Sequence, residues 1–264
     1  MNVHVLASGS SGNSACLQFG DTNILVDAGI SARRIKNGLD AAGIAVESLS
    51  AVLVTHEHTD HISGLAMLTK KYRLPVYSRP DTFAAMSCRD LLPPECCREL
   101  PDSLDIGKVR VEPFSILHDA ADPVGFNFFS GRTKCSFATD IGFVTGGVKA
   151  RLENSDVLVL EANHDVNMLQ SGAYPWYLKK RILGNRGHLS NNDCGWTLAR
   201  MARKQHADVF LAHISKENNR PEVAEETVSR ILEEDGLNLE EDITLHLTYP
   251  DRMVSLNYTQ QGED

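Results

Sequence analysis

Residues 54–64 read VTHEHTDHISG, and this stretch constrains the chain more than any other. His56, His58, Asp60 and His61 fall within six positions, in a chain with ten histidines in all. The stretch follows SAVLVT, a continuous run of strand length. In extended backbone, residues two apart point the same way, so His56 and His58 share a face. Asp60 and His61 come after the chain has turned, and can face a second point. Imidazoles with a carboxylate suit zinc, iron, nickel or manganese in mixed nitrogen and oxygen sites. One loop cannot complete two coordination spheres. Further ligands must arrive from other segments.

Other candidates stand where apolar runs give way to polar loops. Asp27 ends NILVD, His118 follows VEPFSIL, Asp140 ends CSFATD, and His213 follows ADVFLA. A strand terminus is a rigid platform that holds a ligand at the rim of a sheet. A lone histidine after a strand is more often a surface residue or a satisfied core group. Three clustered imidazoles are different, because an ordinary loop gains nothing from them. With the cluster accepted, the strand-end residues gain weight as its partners.

The rest of the chain supplies strands and helices in keeping with such a rim. ACLQFG and TNILVDAG read as a hairpin turned at Gly20–Asp21, and VGFNFFS and TKCSFATD as another around Ser130–Gly131–Arg132. SARRIKNGLDAAG, with Ser31 as N-cap, ISGLAMLTKKYR, YPWYLKKRILG, CGWTLARMARKQH and RPEVAEETVSRILEEDG read as helices. Ser190, three residues before Asp193, resembles a capping box. No internal repeat and no low-complexity linker is visible. One domain over residues 1–264, with sheets inside and helices outside, fits best.

Composition narrows the class. Of 264 residues 42% are hydrophobic and 23% charged, as in a folded chain rather than a disordered one. The net charge of −9 argues against a protein that coats nucleic acid through a bulk positive field, although a local basic strip can still hold a phosphate backbone. No apolar run reaches membrane-spanning length and the N-terminus lacks the pattern of a secretory signal, so no membrane association and a cytoplasmic location are expected. The six cysteines include no C-x-x-C pair and are read as reduced.

THEHTDH, with Asp27 in ILVDAG, His118, Asp140 in FATD and His213 in LAHIS, resembles the five ordered motifs of the metallo-β-lactamase fold over nearly the whole chain. More narrowly, LASGSSGNS, LHDAADPVGF, EANHD, YPWYLKKRILGNRGHLSN and HISKENN resemble the YycJ/WalJ type, regarded as bacterial 5′-to-3′ DNA exonucleases. The resemblance implies an α+β, four-layer αββα sandwich: two mixed sheets face to face, helices outside, and the site at one sheet edge. It implies that His56, His58 and His118 hold a first divalent metal ion and Asp60, His61 and His213 a second, with Asp140 bridging them. Asp27 is then a brace for the histidine loop rather than a direct ligand. Zinc, manganese, iron or nickel all suit that set.

Two cations roughly 3.5–4 Å apart can share one water and lower its pKa, so that a bridging hydroxide attacks phosphorus or a carbonyl carbon. Asp60 and His188 are the candidate catalytic side chains. His188, in NRGHLSNN, is expected at a helix N-terminus as phosphate ligand or general acid. His164 in EANHD is a candidate substrate contact. Ser11 and Asn13, in the loop Ser8–Ser14, are candidate phosphate contacts. Lys179, Lys180, Arg181 and Arg186 lie close in sequence to Trp176 and Tyr177, a mixture that can grip a nucleic acid strand. The same charges can equally be a solvated helix face, and Trp176 a core residue.

The function expected from these features is a dinuclear phosphodiesterase acting as a 5′-to-3′ exonuclease on DNA ends. RNA processing, small-diester hydrolysis, and thioester or lactone hydrolysis by the same fold are the alternatives. A non-enzymatic binding role is least favoured, because the ligand set is intact.

Overall fold

Alternation of apolar side chains along the strands divides the chain into layers. The computed structural model describes residues 1–204 and 206–259. The first sheet takes β1 (Asn2–Ala7), β2 (Ser14–Phe19), β3 (Thr22–Val26), β4 (Leu49–Leu53), β5 (Val76–Ser78) and β6 (Cys97–Glu99) in that spatial order. The second takes β7 (Leu104–Ile106), β8 (Val109–Ser115), β9 (Val124–Ser130), β10 (Thr133–Ala138), β11 (Val157–Glu161), β12 (Ala207–Ala212) and β13 (Ile243–Leu247). β14 (Val254–Asn257) returns to pair antiparallel with β1 and completes the first sheet. Both sheets are mixed, and both follow one plan: three antiparallel pairings, then three parallel ones.

Period two sends alternate residues to opposite faces. Ile24 and Val26 of β3 and Ala51 and Leu53 of β4 face the second sheet, where they meet Val157 and Val159 of β11 and Phe210 of β12. Phe126, Phe128 and Phe210 are fully buried in this layer. Leu25 and Val52 point the other way, onto helices α1 (Ala32–Ala41), α3 (Leu65–Tyr72) and α4 (Pro80–Ala85). A single turn, α2 (Thr59–Ile62), precedes α3. On the second sheet, Leu158, Leu160, Val209 and Leu211 pack against α5 (Gly146–Leu152), α8 (Asn191–Ala199) and α9 (Pro221–Glu234). α6 (Val166–Ser171) and α7 (Trp176–Ile182) lie between β11 and α8 in sequence. The expected αββα sandwich is therefore what the chain forms. No described helix is long and apolar enough to cross a membrane.

Two helices depart from the sequence expectation. The segment expected to be helical from Ile62 starts instead at Thr59, so Asp60 and His61 sit on a helical turn whose N-cap is His58. The helix expected to run through MARKQH ends at Ala199, where Arg203 Nη1 donates to the Leu198 carbonyl. The expected caps at Ser31 and Ser190 are present: each hydroxyl accepts from the backbone N–H three residues on.

Backbone hydrogen bonds lay the histidine loop onto the β3–α1 connection. Asn13 N–H donates to Asp60 O, Ala28 N–H to His61 O, Gly29 N–H to Asn13 O and Gly64 N–H to Ala28 O, each at 2.8 Å. This approach leaves no room at Gly29, where a Cβ would lie 1.6 Å from Asp60 O and 2.7 Å from Asn13 N. Backbone cannot swing aside as a side-chain tip can. Gly29→Ala should therefore destabilise the protein by at least the upper end of the ~1–3 kcal/mol usual for overpacking. Gly146→Ala, whose added Cβ meets nothing within 4 Å, should be neutral. Chemical denaturation of both variants checks this, and equal midpoints would contradict the close approach.

Candidate metal centre

Three site residues leave their strands in the left-handed backbone region. Asp27 directly follows β3 with φ 59°, His213 directly follows β12 with φ 55°, and Asp140 lies two residues past β10 with φ 58°. A non-glycine residue adopts this conformation only when its surroundings over-determine it, at a cost of order 1–3 kcal/mol. Asp and His tolerate it better than most. Each kink occurs as the chain leaves the sheet, and each side chain joins one buried cluster.

The cluster is built from imidazoles whose outer nitrogen is tied down. His61 Nδ1 donates to Asp27 Oδ2 at 2.7 Å, and His118 Nδ1 to Gly187 O at 3.1 Å. His213 Nδ1 donates to Glu161 Oε1 at 2.7 Å. His56 Nδ1 lies 3.0 Å from Thr55 Oγ1. Fixing Nδ1 selects the tautomer and aims the Nε2 lone pair. The Nε2 atoms converge: His61 Nε2 lies 3.2 Å from Asp140 Oδ2 and His118 Nε2 lies 3.8 Å from Asp140 Oδ1. His213 Nδ1 is 3.3 Å from Asp140 Oδ1, so this carboxylate stands between the two halves.

His56, His58 and His118 bring ligand atoms within 4.8 Å of one another, as do Asp60, His61 and His213. They are the same residues that the family resemblance implies as two metal-holding triads. Asp140 joins His56 and His61 in a third such group. His56 Nε2, Asp140 Oδ2 and His213 Nε2 are buried and make no hydrogen bond within the chain. Buried polar atoms are seldom left so. Orphaned imidazole and carboxylate atoms aimed at one another are the donor set that a divalent cation satisfies. The cluster can hold metal ions.

The charge balance supports this. Burial alone would raise the Asp140 carboxyl, but the His213 and His61 imidazoles hold it well below the usual carboxylate range. Burial likewise opposes, and the neighbouring His213 and His61 imidazoles overcome, the same shift at Asp60, whose Oδ2 lies 3.5 Å from the Nε2 of each. Burial would lower His61 and His213, yet Asp140 and their other carboxylate partners raise both well above an ordinary histidine. His56 is pushed well below the usual histidine range by burial, and His118 is also lowered by it.

Glu161 is the residue that the sequence reading missed. It ends β11, is fully buried, and receives His213 Nδ1 at 2.7 Å and His188 Nδ1 at 2.9 Å on one oxygen. Its other oxygen accepts the Ile141 and Leu189 N–H groups. An acid ending an apolar strand, as Asp27 does, was the available signal. Glu161 also brings an atom within reach of Asp140, His188 and His213, a fourth group of metal-binding type.

The remaining candidates differ from expectation in placement. His188 lies two residues before the α8 cap rather than at the helix N-terminus. Two of the terminal amides there are already used, Asn191 N–H by His164 O and Asp193 N–H by Ser190 Oγ. His188 instead stands beside the cluster, its ring 5.2 Å from that of His118 and 5.1 Å from that of His213. Asn13 is buried, and its side chain faces inward to Asp60 Oδ2 at 3.3 Å and His61 Nε2 at 3.2 Å. Its oxygen accepts Gly9 N–H at 2.9 Å. It braces Asp60 instead of offering an open phosphate cradle. Ser11 is exposed at the tip of that turn. His164 is buried rather than at the rim, and burial lowers its pKa to about 4. Asp27 braces the loop as expected, accepting Thr55 N–H, Thr55 Oγ1–H and His61 Nδ1–H.

Comparison with known proteins agrees with this geometry. The profile described as Beta-lactamase superfamily domain matches residues 22–214. The chain is 37% identical to exodeoxyribonuclease YycJ of Bacillus anthracis over 263 residues, 98% of this chain and 100% of that protein. It is also 37% identical to exodeoxyribonuclease WalJ of Streptococcus pneumoniae serotype 2, strain D39, covering 96% of each. The chain belongs to the β-lactamase superfamily, in the group of YycJ and WalJ. The superfamily fold is seen again in the metallo-β-lactamase fold protein YhfI from Bacillus subtilis, with TM-score 0.72 at 15% identity, over 96% of this chain and 98% of that one.

In this superfamily member, cations must displace protons from His61 and His213, whose pKa values are raised. Ligands bind metal only when deprotonated. Metal affinity should therefore fall as the pH is lowered from about 8 to 6, through the range in which raised imidazoles hold their protons. Competition with a chromophoric chelator at several pH values checks this. An affinity that is flat or that rises toward acid would contradict the assigned charge states.

Proposed function

We propose that this chain is a metal-dependent phosphodiesterase that removes nucleotides from the 5′ ends of DNA. The observation that carries the reading is the paired arrangement of two inward-facing triads about one carboxylate. His56, His58 and His118 would hold one divalent cation, Asp60, His61 and His213 a second, with Asp140 between them. The 37% identity to two proteins named exodeoxyribonucleases, over nearly their full lengths, directs the choice of substrate to DNA. Imidazole and carboxylate donors accept zinc, manganese, iron or nickel.

When bound, the cations supply Lewis-acid polarisation of the phosphodiester and activation of a water. The protein's own groups do the rest. Glu161 fixes the His188 ring through Nδ1, which leaves Nε2 free to give a proton to the departing oxygen. The His188 side chain is one-fifth exposed, so it is reachable at the mouth of an otherwise buried cluster. Asp60 and Asp140 stay ionised at neutral pH, since their carboxyls are held low. The six unpaired cysteines suit a reducing compartment, and we place the protein in the cytoplasm.

Metal-loaded protein incubated with 5′-labelled duplex DNA, RNA, a small phosphodiester and a thioester should act stepwise on the DNA. Action confined to RNA, the small diester or the thioester would redirect the assignment within the superfamily. Asp140→Ala should abolish turnover and lower metal content. His188→Ala should lower turnover about 100-fold or more, the usual scale for a lost general acid, with normal metal content. Metal lost from His188→Ala would instead make this histidine a ligand alongside Asp140, Glu161 and His213.

A further inference from the structure

Seven large apolar side chains are solvent-exposed among the described residues, and five of them flank the cluster: Leu117, Phe143, Trp176, Tyr177 and Leu183. Leu117 precedes His118, Phe143 is three residues past Asp140, and the others lie on or just after α7, ahead of His188. The three segments are stitched together. Gly142 N–H donates to Leu117 O at 2.8 Å, and a Cβ on Gly142 would lie 2.5 Å from the Asn185 backbone. Exposed apolar groups gathered on adjoining segments mark a binding surface.

Helix α7 separates its cations by role. Lys179 is buried and clamps the helix, its Nζ donating to Gln170 O at 2.7 Å and Gly172 O at 2.6 Å. Arg181 reaches the site and pairs with Asp119, whose Oδ1 is 3.3 Å from His118 Nε2. Tyr177 stands four residues before Arg181, one turn away on the same helix face. It is 75% exposed, and Trp176 is 60% exposed with Lys180 Nζ 5.7 Å from its ring centroid. The sequence left open whether Trp176 was core; it is not. On a chain of net charge −9, cations interleaved with exposed aromatic rings beside a phosphodiester site fit a polyanion that also carries flat rings.

We propose that Trp176 and Tyr177 on α7, with Phe143 on the adjoining segment, are a base-stacking platform for unpaired nucleotides of the DNA strand entering the metal centre. Lys180 and Arg181 take the phosphates between them. The proposal rests on the nuclease reading above and adds how the strand is held. Stacking tolerates any sequence, because every base has a π-face.

The test uses metal-loaded protein carrying Trp196→Phe, which leaves Trp176 as the only tryptophan, and a hydrolysis-resistant phosphorothioate oligothymidylate. Trp176 emission should be quenched on titration. Tyr177→Ala should weaken binding about five-fold or more, the scale of one lost base–aromatic stack, and Tyr177→Phe should restore it. Should Trp196→Phe fail to fold, anisotropy of the labelled oligonucleotide on otherwise unaltered protein gives the same comparison. Absent quenching, or an abasic strand bound as tightly as oligothymidylate, would each overturn the proposal. Quenching without DNA hydrolysis would sink the nuclease reading and leave the platform standing. Hydrolysis without quenching would sink the platform alone.

Discussion

The site depends on two fully buried carboxylates that fix imidazole tautomers. Asp27 and Glu161 each sit at zero exposure, and each is satisfied by hydrogen bonds rather than by solvent. An unpaired charge so placed would cost several kcal/mol, and breaking such a network by removing one partner is strongly destabilising. Here the carboxylates orient. Asp27 holds His61, and Glu161 holds both His213 and His188. With Nδ1 engaged outward, the free face of each ring has one place to point.

Asp27 and Asp140 come from corresponding places in the fold. Both sheets run through three antiparallel pairings and then three parallel ones. Asp27 follows the strand at which the first sheet changes from antiparallel to parallel pairing, and Asp140 follows the strand at which the second does so. The left-handed residues Asp27, Asp140 and His213 turn the chain as it leaves the strand ends, at the buried cluster. The strain they carry is supported by the sheets beneath, which are packed by fully buried side chains such as Leu53, Phe126 and Phe210.

Much of this was legible in the sequence because the informative signals were local. The H-x-H-x-D-H loop declares itself, and His118, Asp140 and His213 stand out as polar residues ending apolar strands. Glu161 gave a weaker signal: one acid within VLVLEANHD, next to a more conspicuous histidine. The placements of His188 and Asn13 differ from the sequence expectation for one reason. Whether an amide or carboxamide is free depends on partners distant in sequence, Asp60 and His61 for Asn13 and His164 for the α8 terminus. The hairpins β2–β3 and β9–β10 were legible from their turns, but long-range pairing was out of reach, since β1 meets β14 across almost the whole chain. Helices α5 and α6, seven and six residues long, complete fewer than two turns and show too little periodicity to read.

The central claim is that side chains from separated strand ends clamp a pair of cations on either side of Asp140. Anomalous diffraction from crystals of manganese- or zinc-loaded protein tests it most directly. The account predicts two peaks about 3.5–4 Å apart, one enclosed by His56, His58 and His118, the other by Asp60, His61 and His213, with Asp140 touching both. A lone peak among Glu161, His188 and His213, or no peak at the cluster, would contradict it.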